Sequence, residues 1–328
     1  MISAKISRAA LFPMLGAMAL AFVTPASAQQ DFPNQPIRFI TGFPPGSGAD
    51  LFTRFVAERM KEVSGAQINV ENRAGATGAI ALEHVARSKP DGYTILLTAG
   101  SATAAQNHLY KEQRVNVLES LRMVGSITRF GFMIGVDPKS PYKTLQDLTA
   151  ALKQKGESAN YGTSNTSGIA LAELYKTFAG GLKTTQVKYK GTPDSLRELN
   201  GGSLDFITFD PGFGLPQVKQ GRLRALAVST PQRISSIPDI PTMEEGGVKG
   251  IDITVWWALI VPKATPDAPV NKLNGWLKTA LEMPQSKKFF EDAGGEVYIT
   301  TPAEADAHFQ RDEKNWAEIL RIAGIEKQ

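Results

Sequence analysis

The stretch FITGFPPGSGADLFTRFVAERM, Phe39 to Met60, decides how this chain is read. Phe39 to Phe43 has the composition of a β-strand. Two prolines follow, then Gly46-Ser47-Gly48, then Leu51, Phe52, Phe55, Val56 and Met60 at helical spacing. A strand that feeds a helix through a glycine turn is half of a βαβ unit. Such a turn gathers unpaired N–H groups at the positive end of a helix dipole, which favours an anion. The same residues also read as an ordinary tight turn in which Asp50 caps the helix.

The alternation continues outward. QINVENR precedes a helix near Ala79–Ala86, and SANYGTS precedes a helix over Gly168–Ala179. TTQVKYKG leads to TPDSLRELNGG, and LDFITFD leads to PGFGLPQVKQG. The class expected is α/β with mostly parallel sheets. Two long strand-like regions, Met123–Val136 and Ile251–Val261, lack a helical partner. They are placed as crossings between two lobes, with a cleft between the lobes. The boundaries expected are 29–129 with 255–328 for domain I, and 130–254 for domain II.

Residues 1–28 read as a secretory signal, with Lys5 and Arg8, an apolar run Ala9–Val23, and Ala26-Ser27-Ala28 as cleavage site. Cleavage there leaves 300 of the 328 residues. Removing two basic residues from the formal +4 leaves +2, too little for nucleic acid, and no basic block interleaves with aromatics. Cysteine is absent, which excludes disulfides, Cys-ligated metal, a thiol nucleophile and a lipoprotein anchor. An exported, unlipidated protein of the bacterial periplasm fits these features.

Nucleotide chemistry fits poorly. No lysine follows Gly48 as a P-loop requires, and Leu51 stands where G-x-G-x-x-G needs its third glycine. Three further turns resemble the first. Tyr161–Leu174 runs through Thr163-Ser164-Asn165-Thr166-Ser167 to Gly168; YKGTPDSL places Gly191-Thr192 before a helix; TFDPGFG places Asp210 at a strand's carboxyl end. Ligands of open α/β sheets bind beyond those ends. Each turn taken alone also reads as a solvated loop.

Signals for catalysis are weak. His84, His108 and His308 are far apart, with no HExxH, and no G-x-S-x-G occurs. Ser140-Pro-Tyr-Lys143 matches S-x-x-K without its companion motifs. No cofactor or metal is expected. Trp256 and Trp257, adjacent in a strand, face opposite sides, and one of them is a candidate wall of a ligand pocket.

PIRFITGFPPGSGAD, VENRAGATGAIA, KPDGYTILLT, YGTSNTSG, VKYKGTPDSL, LDFITFD, GRLRALAVST and IPDIPTMEEGG together resemble the Bug family, periplasmic substrate-binding proteins of tripartite tricarboxylate transporters. The resemblance runs in order over essentially the whole chain after the signal. It implies a two-lobed periplasmic-binding-protein fold that closes on a small carboxylate without catalysis. The family's two clamping loops match Phe43–Asp50 and Thr163–Gly168. Where members most often read FPPGGGTD, this chain has Ser47 and Ala49.

The site expected comprises Phe43, Ser47, Gly48, Ala49 and Asp50 from the first turn, and Ser101. It adds Ser164, Asn165, Ser167 and Gly168 from the second turn, with Gly191, Thr192 and Asp210 toward the distal end. Asp50 is expected to cap or orient its loop and not to touch the anion. The partners expected are a dicarboxylate or an aromatic carboxylate such as a phthalate, and membrane permease subunits. A sensory adaptor for a sensor kinase is a second reading. A serine hydrolase built on GTSNTSG is a third.

Overall fold

A computed structural model describes residues 1–2, 32–112, 115–189 and 191–327. The expected signal segment lies almost wholly outside them. Every strand and helix named below belongs to one compact unit that begins at Gln35.

In chain order its elements begin β1 (Ile37–Thr41), α1 (Gly48–Ser64), β2 (Ile68–Asn72), α2 (Ala79–Ala86), β3 (Thr94–Ala99), α3 (Gly100–Leu109), α4 (Val117–Ser120) and β4 (Leu121–Gly131). Then come β5 (Met133–Val136), α5 (Leu145–Lys155), β6 (Asn160–Thr163), α6 (Thr166–Phe178), β7 (Thr185–Lys188), α7 (Thr192–Asn200), β8 (Phe206–Phe209), α8 (Pro211–Lys219) and β9 (Arg224–Val228). The chain ends with β10 (Thr254–Pro262), α9 (Asp267–Glu282), α10 (Pro284–Asp292), β11 (Glu296–Val297) and α11 (Pro302–Ile322).

The strands form two sheets, ordered β11-β4-β10-β3-β1-β2 and β7-β6-β8-β5-β9. Helices flank both, which gives two α/β lobes. One feature departs from expectation: the sheets are mixed, not mostly parallel. β1 pairs in parallel with β2 and β3, and β6 with β7 and β8. β10, however, is antiparallel to both β3 and β4, and β5 is antiparallel to both β8 and β9. The reason is the crossing itself. β4 carries the chain out of the first lobe and β10 brings it back, so the two must run in opposite senses. β10 follows β9 without the crossover helix that parallel pairing needs.

The crossing is pinned at Ser229, which is fully buried. Its N–H donates to the Phe132 carbonyl (2.8 Å) and its Oγ accepts from the Phe132 N–H (3.0 Å). The same hydroxyl donates to the Ile253 carbonyl (2.7 Å), while the Ile253 N–H donates to the Ser229 carbonyl (3.0 Å). Thus the outgoing strand, the end of β9 and the approach to β10 are tied at one residue. The apolar faces around it fill two cores: Phe39, Leu97 and Leu259 are buried in the first sheet, Tyr161, Phe206 and Ile207 in the second.

Candidate functional site

The first turn is held from within. Ser47, not Asp50, is the N-cap of α1: its Oγ accepts the Asp50 N–H (3.2 Å) and its carbonyl accepts the Leu51 N–H (3.0 Å). Four N–H groups open any helix without an internal partner. Ser47 therefore satisfies the third and fourth and leaves those of Gly48 and Ala49. Asp50 faces back into the loop. Its Oδ2 accepts from Gly46 N–H and Arg54 Nε, both at 2.9 Å, and its Oδ1 accepts from Asn72 Nδ2 at 2.8 Å. Burial alone would raise the Asp50 pKa, but the Arg54, Gly46 and Asn72 donors together hold it below the ordinary value. Asn72 also donates to the Phe43 carbonyl (3.0 Å), so one residue at the end of β2 fixes both limbs of the turn.

Gly46 adopts φ +79°, a left-handed conformation that glycine meets without strain. Gly48 differs. Its φ is not in that region, and a Cβ built there meets nothing within 4 Å. The glycine opens a path to the helix start.

The second turn repeats the design. Asn165 caps α6, its side chain accepting the Gly168 N–H (2.9 Å) and its carbonyl the Ile169 N–H (3.0 Å). That leaves the N–H groups of Thr166 and Ser167. A Cβ on Gly168 would lie 2.6 Å from Thr208 Oγ1 and 2.9 Å from Thr163 Oγ1, so this glycine seats α6 against β8. Ser164 and Thr192 share a hydrogen bond at 3.0 Å, which joins the second turn to the third, where Gly191 caps α7.

The fourth turn is of another kind. Half-buried Asp210 caps α8 with its own carboxylate, accepting the Phe213 N–H at 3.0 Å. Burial raises its pKa against the pull of the Phe213, Asp210 and Gly212 N–H groups. Pro211, at the first helical position, has no N–H to offer. The positive end of α8 is thus already matched by a side-chain anion. α8 approaches the other lobe: a Cβ added to Gly212 would lie 3.9 Å from Phe52 Cζ in α1.

Ser101 lies in the first turn of α3, fully buried, with no partner in the protein for its Oγ. Phe43 packs against Trp257, ring centroids 6.4 Å apart. Trp256 faces the opposite side, donating to Asp312 Oδ2 (2.8 Å) and stacking on His308. The serines of the second turn have no histidine beside them in the chain's design: His84, His108 and His308 sit on α2, α3 and α11, around the first sheet. No group of His, Asp and Glu suited to a metal occurs among the described residues. No helix among them is long and apolar enough to cross a membrane.

Asn72, Arg54, Thr208 and Ser229 were not singled out by the sequence. Asn72 lies opposite Thr41 in the β1–β2 register, a relation set by strand pairing and invisible in the linear order.

The comparisons agree with this architecture. The model of the tripartite tricarboxylate transporter family receptor matches residues 52–325. An Agrobacterium vitis protein from the TAR-I ttuE-ttuC' intergenic region is 34% identical over 304 residues, 91% of this chain and 87% of that one. The solved structure of the periplasmic binding protein BugD is 28% identical and superposes with a TM-score of 0.81, covering 90% of this chain and all of that one. The R. palustris protein Rpa4515, solved with adipate, is 27% identical with a TM-score of 0.84, covering 91% of this chain and all of that one. With two such lobes and this match over most of its length, the chain belongs to the tripartite tricarboxylate transporter receptor family, the Bug-type periplasmic solute-binding proteins, a family of binding proteins and not of enzymes.

Proposed function

We propose that this protein captures a small organic carboxylate, a dicarboxylate or an aromatic acid, between its lobes in the periplasm and delivers it to the permease subunits of a tripartite tricarboxylate-type transporter. The observation that carries this reading is the matched pair of helix starts. In α1 and α6 the cap residue satisfies its own third and fourth N–H groups and leaves the first two, at Gly48 and Ala49 and at Thr166 and Ser167. Ser164 and Thr192 flank the second pair. The relative solved with adipate supports a carboxylate as the anion.

The energetics require both turns. Stripping water from a carboxylate costs several kcal/mol. Hydrogen bonds to a charged group return about 1.5–3 kcal/mol each, and a helix terminus adds roughly 0.3–1 kcal/mol. One turn with two donors barely breaks even. Two turns reach roughly −8 kcal/mol, micromolar binding. The lobes then close because the ligand needs donors from both.

The test is a thermal-shift and calorimetric screen of the purified protein against adipate, malate, phthalate and related acids. An acid at a hundredfold excess over its Kd stabilises by about 2.7 kcal/mol and raises the melting temperature by several degrees. Absence of any shift across the panel overturns the reading.

A further inference from the structure

Among the buried hydrogen-bonding groups without a partner in the protein, Thr41 Oγ1, Ser101 Oγ and Trp257 Nε1 stand at the ends of neighbouring strands of the first sheet. Their residues are 0%, 0% and 7% exposed. Buried polar groups are usually bonded, so three at adjacent strand ends call for a partner from outside the chain.

The sheet order places them at neighbouring strand ends. Thr41 ends β1, and Ser101 follows Gly100 just past the end of β3. Trp257 lies opposite Ala99 at the start of antiparallel β10. In the sheet these strands are neighbours, in the order β10-β3-β1, so the three groups share one edge, the edge from which α1 departs. Register also sets the face. Phe39 pairs with Ile95, and Leu97 with Leu259. Side chains alternate along a strand, so Thr41 and Trp257 emerge on the same side of the sheet. On that side the Trp257 ring meets Phe52 of α1 (centroids 5.5 Å) and Phe43 of the turn (6.4 Å). Thr41 and Trp257 therefore lie on the face that carries the first turn and the start of α1, where the Gly48 and Ala49 amides are.

We propose that Trp257 is a ligand-selecting residue: its indole N–H, with the hydroxyls of Ser101 and Thr41, receives an acceptor oxygen of the captured acid. The proposal rests on the carboxylate-receptor reading and deepens it. An indole N–H can only donate, whereas a hydroxyl donates or accepts. The indole therefore takes a carboxylate, carbonyl or hydroxyl oxygen and rejects an ammonium group, which would set donor against donor, while the hydroxyls adapt to the oxygen. The chemical class selected is an acid with a second oxygen function. An amino acid that places its amine there is excluded.

The test titrates wild type, Trp257→Phe and Ser101→Ala with adipate, malate and aspartate by calorimetry. It also follows the indole N–H resonances in ¹⁵N-labelled protein, with Trp257 assigned from its variant. The expected result has three parts. The best-bound oxygen acid loses at least tenfold in affinity in Trp257→Phe. Ser101→Ala weakens binding severalfold while melting at the wild-type temperature, because its hydroxyl makes no internal bond. The Trp257 N–H signal moves downfield on saturation. Unchanged affinity in Trp257→Phe with a stationary resonance overturns the inference and leaves the receptor reading intact, as does aspartate binding best. If wild type binds none of the acids, both fall.

Discussion

The carboxylate of Asp50 is turned back onto the N–H of Gly46, 2.9 Å away, so the negative charge nearest the first turn is spent inside the loop. Both of its oxygens accept, one from Gly46 and Arg54, the other from Asn72. Asn at this position puts an NH₂ against one set of donors, so Asp50→Asn is not conservative. Asp50→Ala is expected to cost about 2–3 kcal/mol of stability, the range for losing bonds to a buried charged group. Ligand affinity is expected to fall more than tenfold as the turn loosens. The sign with pH follows from the lowered pKa. The stabilisation is present above the unfolded value near 3.8 and is lost as pH falls through the lower folded value. Urea unfolding of wild type and variant at pH 7 and pH 3 checks this, and a gap that does not narrow in acid counts against it.

Much of this arrangement was legible in order along the chain. The strand, the glycine turn and the apolar spacing of α1 follow from local chemistry, and so does the hydroxyl-rich start of α6. Relations across strands were not. That Asn72 locks Phe43, that Thr208 abuts Gly168, and that Trp257 shares a face with Thr41 depend on register, which local sequence does not encode. The mixed sheets were missed for a related reason. Strand-then-helix repetition reads as parallel pairing, and the reversals belong to β5 and β10, which lie in the regions read only as crossings, and to the short β11. The two strand regions without helices and the family resemblance both pointed to two lobes; neither supplied the caps. Asp50 was read as one candidate cap, whereas Ser47 holds that role and frees Asp50 to orient the turn.

Gly48 separates binding from folding. Its φ suits any residue, and a Cβ there meets open space. Gly48→Val therefore leaves the folded protein within about 1 kcal/mol of wild type, the scale of helix-propensity changes. The new methyl groups stand where an anion must approach the Gly48 and Ala49 amides. Binding of the best acid in the panel is expected to weaken at least a hundredfold. Gly46→Val is the contrast: at φ +79° a β-branched residue is strained, and stability falls as well. Wild-type affinity in Gly48→Val, measured by calorimetry, sinks the model in which the amides of α1 hold the ligand.

Burial pushes the Asp312 carboxyl up to about 6, within reach of a stability measurement near neutrality. It accepts from Trp256 Nε1 at 2.8 Å. Burial raises its pKa most, and Asp252 adds to the rise; Trp256, Arg311 and Trp316 pull it down, leaving it at about 6. For an acid raised on folding, the stabilisation is complete below the unfolded value and is lost as pH climbs through the folded one. Each pKa unit is worth about 1.4 kcal/mol, so about 1–3 kcal/mol should disappear between pH 4 and pH 7. His308, stacked on Trp256, works in the other direction. Burial, then Arg311 and Arg129, lowers its pKa, so it gains stability with rising pH over an overlapping range. The wild-type curve mixes the two, and the difference from Asp312→Asn isolates the carboxyl, since Asn still accepts from the indole and does not titrate. Asp312→Asn should gain on wild type steadily from pH 4.5 to pH 7.5 in urea unfolding. A difference that stays flat across that interval means the carboxyl is already ionised at little cost, and that the Trp256 bond holds a solvated charge.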